Sequence, residues 1–170
     1  TMGAGIAAAC RDAGLPVILI EQDQPALERG LANLSRIYDG LVKRGRMTAL
    51  QAQDKINGVV GHTDMVALDD VDLVIEAVFE DLAVKRGVFA RLTDHCRPDA
   101  ILATNTSYLD PNRIFEGLPH PERFLGLHFF SPAQVMKLLE IVSTDETNLA
   151  VLAAGFALAR SMNKIPVRAG

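Results

Sequence analysis

Two ionisable residues stand where the surrounding sequence calls for apolar ones. In the stretch GLHFFSPAQVMKLLEIV, residues 126–142, His128 lies between Leu127 and Phe129, and Glu140 lies between Leu139 and Ile141. An unpaired carboxylate is costly to bury, and an imidazole among apolar side chains also needs a partner. If residues 123–130 and 137–142 are neighbouring antiparallel strands, the two groups can satisfy each other. Such a bond would fix the imidazole tautomer, leave the other ring nitrogen facing outward and raise its basicity. The product is a base able to take a proton from an alcohol. The alternative is a core histidine satisfied elsewhere and a glutamate turned to solvent.

A second constellation lies at the start of the chain. TMGAGIAAA resembles the end of a glycine-rich turn that opens a helix, with Gly3 as the last glycine. A helix N-terminus offers unpaired N–H groups and a positive dipole end to a pyrophosphate, and a glycine there lets helix and strand pack closely. Glu21 closes the apolar run PVILIE at close to the ~20-residue distance expected of an acid that binds adenosine ribose hydroxyls. An acid at that place repels a 2′-phosphate, which favours NAD over NADP; Asp23 is the fallback ribose ligand. Simple tight packing at Gly3 and a merely polar strand end at Glu21 are the competing explanations.

The elements that must position these groups can be read from periodicity. Gly3–Ala13, about Pro25–Arg44, about 49–57, 81–95 and 146–162 carry helical patterns. In the second, Leu27, Leu31, Leu34, Tyr38 and Leu41 recur at helical spacing. Thr48 and Gln51 fit a capping box, and Leu82, Val88, Phe89 and Leu92 form the expected inward face of 81–95. Continuous apolar runs at 16–21, 58–63, 71–78, 100–107, 123–130, 137–142 and 164–167 read as strands. Alternation of the two kinds predicts an α/β fold with a mostly parallel sheet. The loop SPAQVM is too short for a parallel crossover, so the strands it joins are expected to be antiparallel.

Bulk properties narrow the class. The 170 residues are 49% hydrophobic and 22% charged, enough for a sizeable core, and the net charge of −4 disfavours a general nucleic-acid binder. Cys10 and Cys96 form no spacing motif and read as reduced, buried thiols suited to a cytosolic chain. No apolar run reaches the ~18–20 residues that span a bilayer, and no leader for export is expected. The start, without a strand before its first helix, reads as a trimmed fragment whose first strand is missing.

TMGAGIA, VIEAVFEDLAVK, ATNTS and GLHFFSPAQVMKLLEIV, in that order, resemble the NAD-binding domain of the L-3-hydroxyacyl-CoA dehydrogenases. The likeness is greatest to the dehydrogenase part of bifunctional enoyl-CoA hydratase/dehydrogenase proteins of fatty-acid β-oxidation. It covers essentially the whole chain, and HFFSP followed by MKLLE is its most specific portion. The resemblance implies a Rossmann-like doubly wound sheet, NAD as cofactor and an acyl-CoA thioester as substrate.

It also implies roles for individual residues. His128 corresponds to the catalytic base, Glu140 to its partner, and Ser107 to the serine that hydrogen-bonds the substrate's 3-oxygen. Asn105 corresponds to a residue beside the nicotinamide, its alternative being a strand-end turn residue. Ala77, Glu80 and Lys85 correspond to cofactor-lining positions, with a solvated charge pair at a helix start as the alternative for the last two. Gly3 and Glu21 fall on the pyrophosphate and ribose positions, where the family often has Asp rather than Glu. The basic cluster Lys43, Arg44 and Arg46 falls in a region that approaches coenzyme A phosphates. Cations that stabilise a helix C-terminus explain it equally well. No metal is implied.

The same resemblance implies a helical second domain, beyond a segment like PVRAG, that supplies an asparagine near the substrate, dimer contacts and one wall of the acyl cleft. The expected parent is a homodimer or a larger multifunctional chain, in the cytoplasm of a bacterial-type cell or in an organellar matrix. The 170 residues alone are expected to have negligible turnover. A non-catalytic NAD-binding module of the same fold and a β-hydroxyacid dehydrogenase are the alternative functions; the latter lacks HFFSP.

Overall fold

The computed structural model describes residues 2–169. Its chain divides into two compact units, one holding the residues up to Ala67 together with Ser131–Val135, the other holding Leu68–Phe130 and the residues from Met136 onward.

The first unit contains α1 (Met2–Asp12), β1 (Val17–Ile20), α2 (Gln24–Lys43), α3 (Ala49–Asn57) and β2 (Val59–His62). β1 and β2 pair in parallel, Val17 opposite Val59 through Ile20 opposite His62. Helix α2 begins where Asp23 accepts the Ala26 N–H at 2.7 Å, with a proline in its first turn. It ends where Gly45, at φ 65°, turns the chain left-handed and the Gly45 and Arg46 amides return to Val42 and Leu41 carbonyls. The expected capping box of α3 is complete: Gln51 N–H donates to Thr48 Oγ1 at 3.2 Å and Thr48 N–H to Gln51 Oε1 at 2.9 Å. Leu27, Leu34 and Tyr38 of α2 pack with Ala7, Ala8, Leu19, Ala52 and Val59 in one core. Leu31 and Leu41, predicted on the same stripe, are only partly buried at its margin.

The second unit carries β3 (Leu73–Glu76), α4 (Leu82–His95), β4 (Ile101–Thr104), α5 (Pro111–Phe115), β5 (Phe124–Phe129), β6 (Leu138–Ser143), α6 (Leu149–Ser161) and β7 (Ile165–Ala169). Its five strands lie in the order β3-β4-β5-β6-β7. β3, β4 and β5 run parallel, β5 and β6 antiparallel as the short loop required, and β6 and β7 parallel. The core beneath includes Phe89, Phe115 and Phe124, with ring centroids 4.8 Å apart edge-on for the first two and 4.4 Å stacked for the last two.

Three expectations change. Helix α4 buries Phe89 and Leu92, but Leu82 and Val88 are only half-buried, and Lys85 joins the buried residues of the helix. Helix α5 lies in a stretch read without an element; Asp110 caps it by accepting the Asn112 N–H, and Pro111 fills its first turn. Of the two thiols, Cys96 is buried and Cys10 is half-buried.

Candidate active site

In the second unit the parallel strands β3, β4 and β5 end on one edge of their sheet, and nearly every residue singled out there lies at those ends. His128 is the penultimate residue of β5. In the antiparallel ladder it stands directly opposite Glu140 of β6. Directly opposed residues project from the same face of a sheet, and His128 Nδ1 lies 2.8 Å from Glu140 Oε2. The two side chains retain 17% and 33% exposure, so the pair is sheltered yet reachable. The Phe130 ring lies 4.5 Å from the imidazole, centroid to centroid. A carboxylate on Nδ1 makes that nitrogen the N–H donor and leaves Nε2 as the acceptor.

Strand β4 ends at Thr104 and runs into the turn Asn105-Thr106-Ser107. The ladder between β4 and β5 stops at Thr104 opposite Gly126. Asn105 continues the tie with its side chain, Oδ1 accepting the Phe129 N–H at 2.8 Å. Its own N–H donates to the Glu76 carbonyl at 2.8 Å. Ser107 is exposed, and its Oγ lies 3.4 Å from Glu80 Oε1.

The end of β3 holds a cluster that sequence reasoning did not identify as one. Glu76 and Lys85 are 4% and 1% exposed. Lys85 Nζ lies 2.8 and 3.0 Å from the two Glu76 oxygens and 3.2 Å from Glu80 Oε2. Thr104 Oγ1 donates to Glu76 Oε2 at 2.7 Å, and the Val78 N–H to Glu76 Oε1 at 2.6 Å. Glu80 Oε1 accepts from the Thr106 hydroxyl and from the Ser107 N–H, the latter at 2.7 Å. Burial alone would raise the Glu80 carboxyl; the Thr106 hydroxyl, the Ser107 amide and the Lys85 ammonium outweigh it and hold the group below its ordinary value. Glu80 and Lys85 are therefore not a solvated charge pair at a helix start. Ala77, just after β3, is half-buried. The signal that led to His128 and Glu140, an ionisable residue inside an apolar run, was also present at Glu76 in LVIEAV.

In the first unit, Gly3 lies in the first turn of α1. A Cβ built on it meets nothing within 4 Å, whereas one on Gly5 would meet Gln134 Oε1 at 2.7 Å and Ala133 Cβ at 3.2 Å. Gly5 is the position of that helix that faces the 131–135 segment. Glu21 follows β1, and its N–H donates to the His62 carbonyl at 3.1 Å. Its carboxyl is pushed up by burial, opposed by Arg29 and reinforced by Asp23. The fallback ligand Asp23 is engaged as the α2 cap. Lys43, Arg44 and Arg46 are exposed around the α2 C-terminus. Among the described residues, no group of three or more His, Cys, Asp or Glu side chains is placed to hold a metal ion. No described helix is long and apolar enough to cross a membrane.

The sequence matches the family described as 3-hydroxyacyl-CoA dehydrogenase, NAD binding domain, over residues 1–170. A glyoxysomal fatty-acid β-oxidation multifunctional protein of Brassica napus is 38% identical over 99% of this chain and 23% of its own length. The 3-hydroxybutyryl-CoA dehydrogenase of Clostridioides difficile is 36% identical over 98% of this chain and 59% of its own. The solved structure of 3-hydroxybutyryl-CoA dehydrogenase from Escherichia coli superposes with a TM-score of 0.95 at 40% identity, covering 99% of this chain and 36% of that one. The fold is accordingly the Rossmann-like α/β class with a mostly parallel sheet. The chain spans between about a quarter and three fifths of the curated relatives it matches. It belongs to the family of 3-hydroxyacyl-CoA dehydrogenase NAD-binding domains.

Proposed function

We propose that this chain is the NAD-binding part of a protein that oxidises (S)-3-hydroxyacyl-CoA to 3-oxoacyl-CoA in fatty-acid β-oxidation. The observation that carries the reading is the 2.8 Å contact between His128 Nδ1 and Glu140 Oε2, which leaves Nε2 as a base. His128 takes the proton of the substrate's 3-hydroxyl as hydride departs from C3. Glu140 accepts the Nδ1–H, orients the ring and stabilises the imidazolium that forms. Ser107 donates its hydroxyl to the reacting oxygen.

The residues present suit NAD. The first turn of α1 has open space at Gly3, and the amide N–H groups of a helix start suit a pyrophosphate. Glu21 offers its carboxylate to the adenosine ribose hydroxyls. In the second unit, Ala77, Glu80, Lys85 and Asn105 serve the nicotinamide half, Lys85 through its contact with Glu80. When bound, NAD supplies the hydride acceptor; the protein supplies placement and charge. Lys43, Arg44 and Arg46 would meet the phosphates of coenzyme A. The full protein is a homodimer or a larger multifunctional chain, in a bacterial-type cytoplasm or an organellar matrix. It carries the rest of the acyl cleft on residues outside this chain.

The test is NADH oxidation by the natural full-length protein with acetoacetyl-CoA, with free acetoacetate in parallel. Turnover with the thioester and little with the free acid is expected. Equal or better turnover of the free acid would point to a β-hydroxyacid dehydrogenase. NAD binding without turnover of either would point to a non-catalytic module.

A further inference from the structure

The proton and hydride chemistry makes no direct use of Glu76, yet Glu76 is buried and both of its carboxylate oxygens are bonded. Stability alone does not explain it. Taking two opposite charges out of water often costs as much as their attraction returns, and apolar residues of similar volume would fill the same place without that cost. The bonds made by Glu76 suggest another purpose, because they converge on one short segment.

Glu76 holds residues 104–107 at both ends. At the near end its carboxylate takes the Thr104 hydroxyl at 2.7 Å and its carbonyl takes the Asn105 N–H at 2.8 Å. At the far end it acts through two intermediaries. Both of its oxygens hold the Lys85 ammonium, at 2.8 and 3.0 Å, and Lys85 reaches Glu80 Oε2 at 3.2 Å. The other Glu80 oxygen takes the Ser107 N–H at 2.7 Å and the Thr106 hydroxyl, with the Ser107 hydroxyl at 3.4 Å. The ammonium is shared: Glu76 keeps it inside, and Glu80 is left with one oxygen for the cation and one for the turn.

We propose that Glu76 is a positioning residue for Ser107, holding the Asn105-Thr106-Ser107 turn in its working conformation through Lys85 and Glu80. The inference rests on the proposed role of Ser107 in holding the substrate's 3-oxygen. Without the Glu76 charge, Glu80 is the one carboxylate left beside the buried ammonium among the described residues. Glu80 is then drawn inward onto Lys85, its grip on the Ser107 N–H loosens, and the hydroxyl loses its fixed aim. Orientation losses of this kind can reach ~10²-fold for a displacement of about 1 Å.

The experiment uses the natural full-length protein with Glu76→Gln, Ser107→Ala and the pair combined. Two quantities are read: kcat for acetoacetyl-CoA reduction, and hydrogen–deuterium exchange at the Ser107 amide. Glu76→Gln should lower kcat about tenfold or more in the Ser107 background and less than about twofold once Ser107 is already alanine. Exchange at the Ser107 amide should rise about tenfold or more, while Leu102 and Ala103 in β4 keep their protection. Fully additive losses, or an unchanged Ser107 amide, would overturn the proposal. If Glu76→Gln does not fold, Glu80→Gln breaks the same route at its last link while Glu76 still holds the Lys85 ammonium. It should still loosen the Ser107 amide, and full protection in that variant would count against the proposal. If the wild type does not turn over any 3-oxoacyl-CoA, the proposed activity fails, and the exchange measurement still decides the role of Glu76.

Discussion

Asn105 and Phe129 are joined by a 2.8 Å hydrogen bond from the Phe129 backbone N–H to the Asn105 side-chain oxygen. The bond ties the turn that carries Ser107 to the strand residue next to His128. A side chain here does the work of a strand pair, one step beyond the point where the β4–β5 ladder stops. Asn105→Ala should leave that N–H unsatisfied and destabilise the protein by about 1–3 kcal/mol, measured by denaturant unfolding. Asn105→Asp keeps the acceptor and should lose much less. Equal losses would mean that the hydrogen bond is not what Asn105 contributes.

His128→Gln in the full-length protein should leave NAD affinity unchanged and lower turnover by ~10²-fold or more. Glu140→Gln, which removes the charge facing Nδ1, should lower kcat at least about tenfold with NAD affinity again intact. Isothermal titration with NAD beside steady-state kinetics separates binding from chemistry. Wild-type turnover in the His128 variant would remove His128 from the role of base.

Glu80 and Glu21 should make opposite contributions to stability as pH changes. The Glu80 carboxyl is held below its ordinary value of 4.5, so the folded protein binds that proton less tightly than the unfolded chain. Its contribution is full above about pH 4.5 and fades as pH falls through the lower folded value. The Glu21 carboxyl is raised from the same ordinary value, chiefly by burial. Its ionised form therefore costs stability near neutrality, and that cost fades as pH falls through the raised value. Unfolding curves across pH should show Glu80→Gln destabilising at pH 7 and neutral in acid. Glu21→Gln should be mildly stabilising at pH 7 while weakening NAD binding. The same sign for both variants at pH 7 would contradict the assigned environments.

The basic cluster admits a direct discrimination. If Lys43, Arg44 and Arg46 meet coenzyme A phosphates, alanine at all three should raise KM for acetoacetyl-CoA several-fold and more steeply at low salt, with little change in kcat. If they only stabilise the α2 C-terminus, KM should hold and stability should fall by about 0.3–1 kcal/mol per charge near the helix end. Kinetics at two ionic strengths with parallel melts tells these apart.

Local chemistry was sufficient for much of the fold. The Thr48–Gln51 capping box, the start of α2 at Pro25 and the antiparallel β5–β6 pair follow from interactions within a few residues or from loop length, and each is present as expected. The His128–Glu140 meeting was legible for the same reason, because one short loop sets the register that puts the two side chains opposite each other. The Glu76–Lys85–Glu80 cluster was not. Glu76 ends β3, Glu80 lies just before α4 and Lys85 is in its first turn, but their partners Thr104, Thr106 and Ser107 lie on β4 and the turn after it, and periodicity alone gave Lys85 an ordinary place on a helix. Only the pairing of β3 with β4 and the packing of α4 bring Thr104, Glu76 and Lys85 together out of water. Burial then decides which charges must find partners, and it shows Lys85 to be an internal cation rather than a solvated one. The same division holds at Gly5: the sequence shows only that the first helix is built of small residues, and the packed 131–135 segment is what makes Gly5 a close contact.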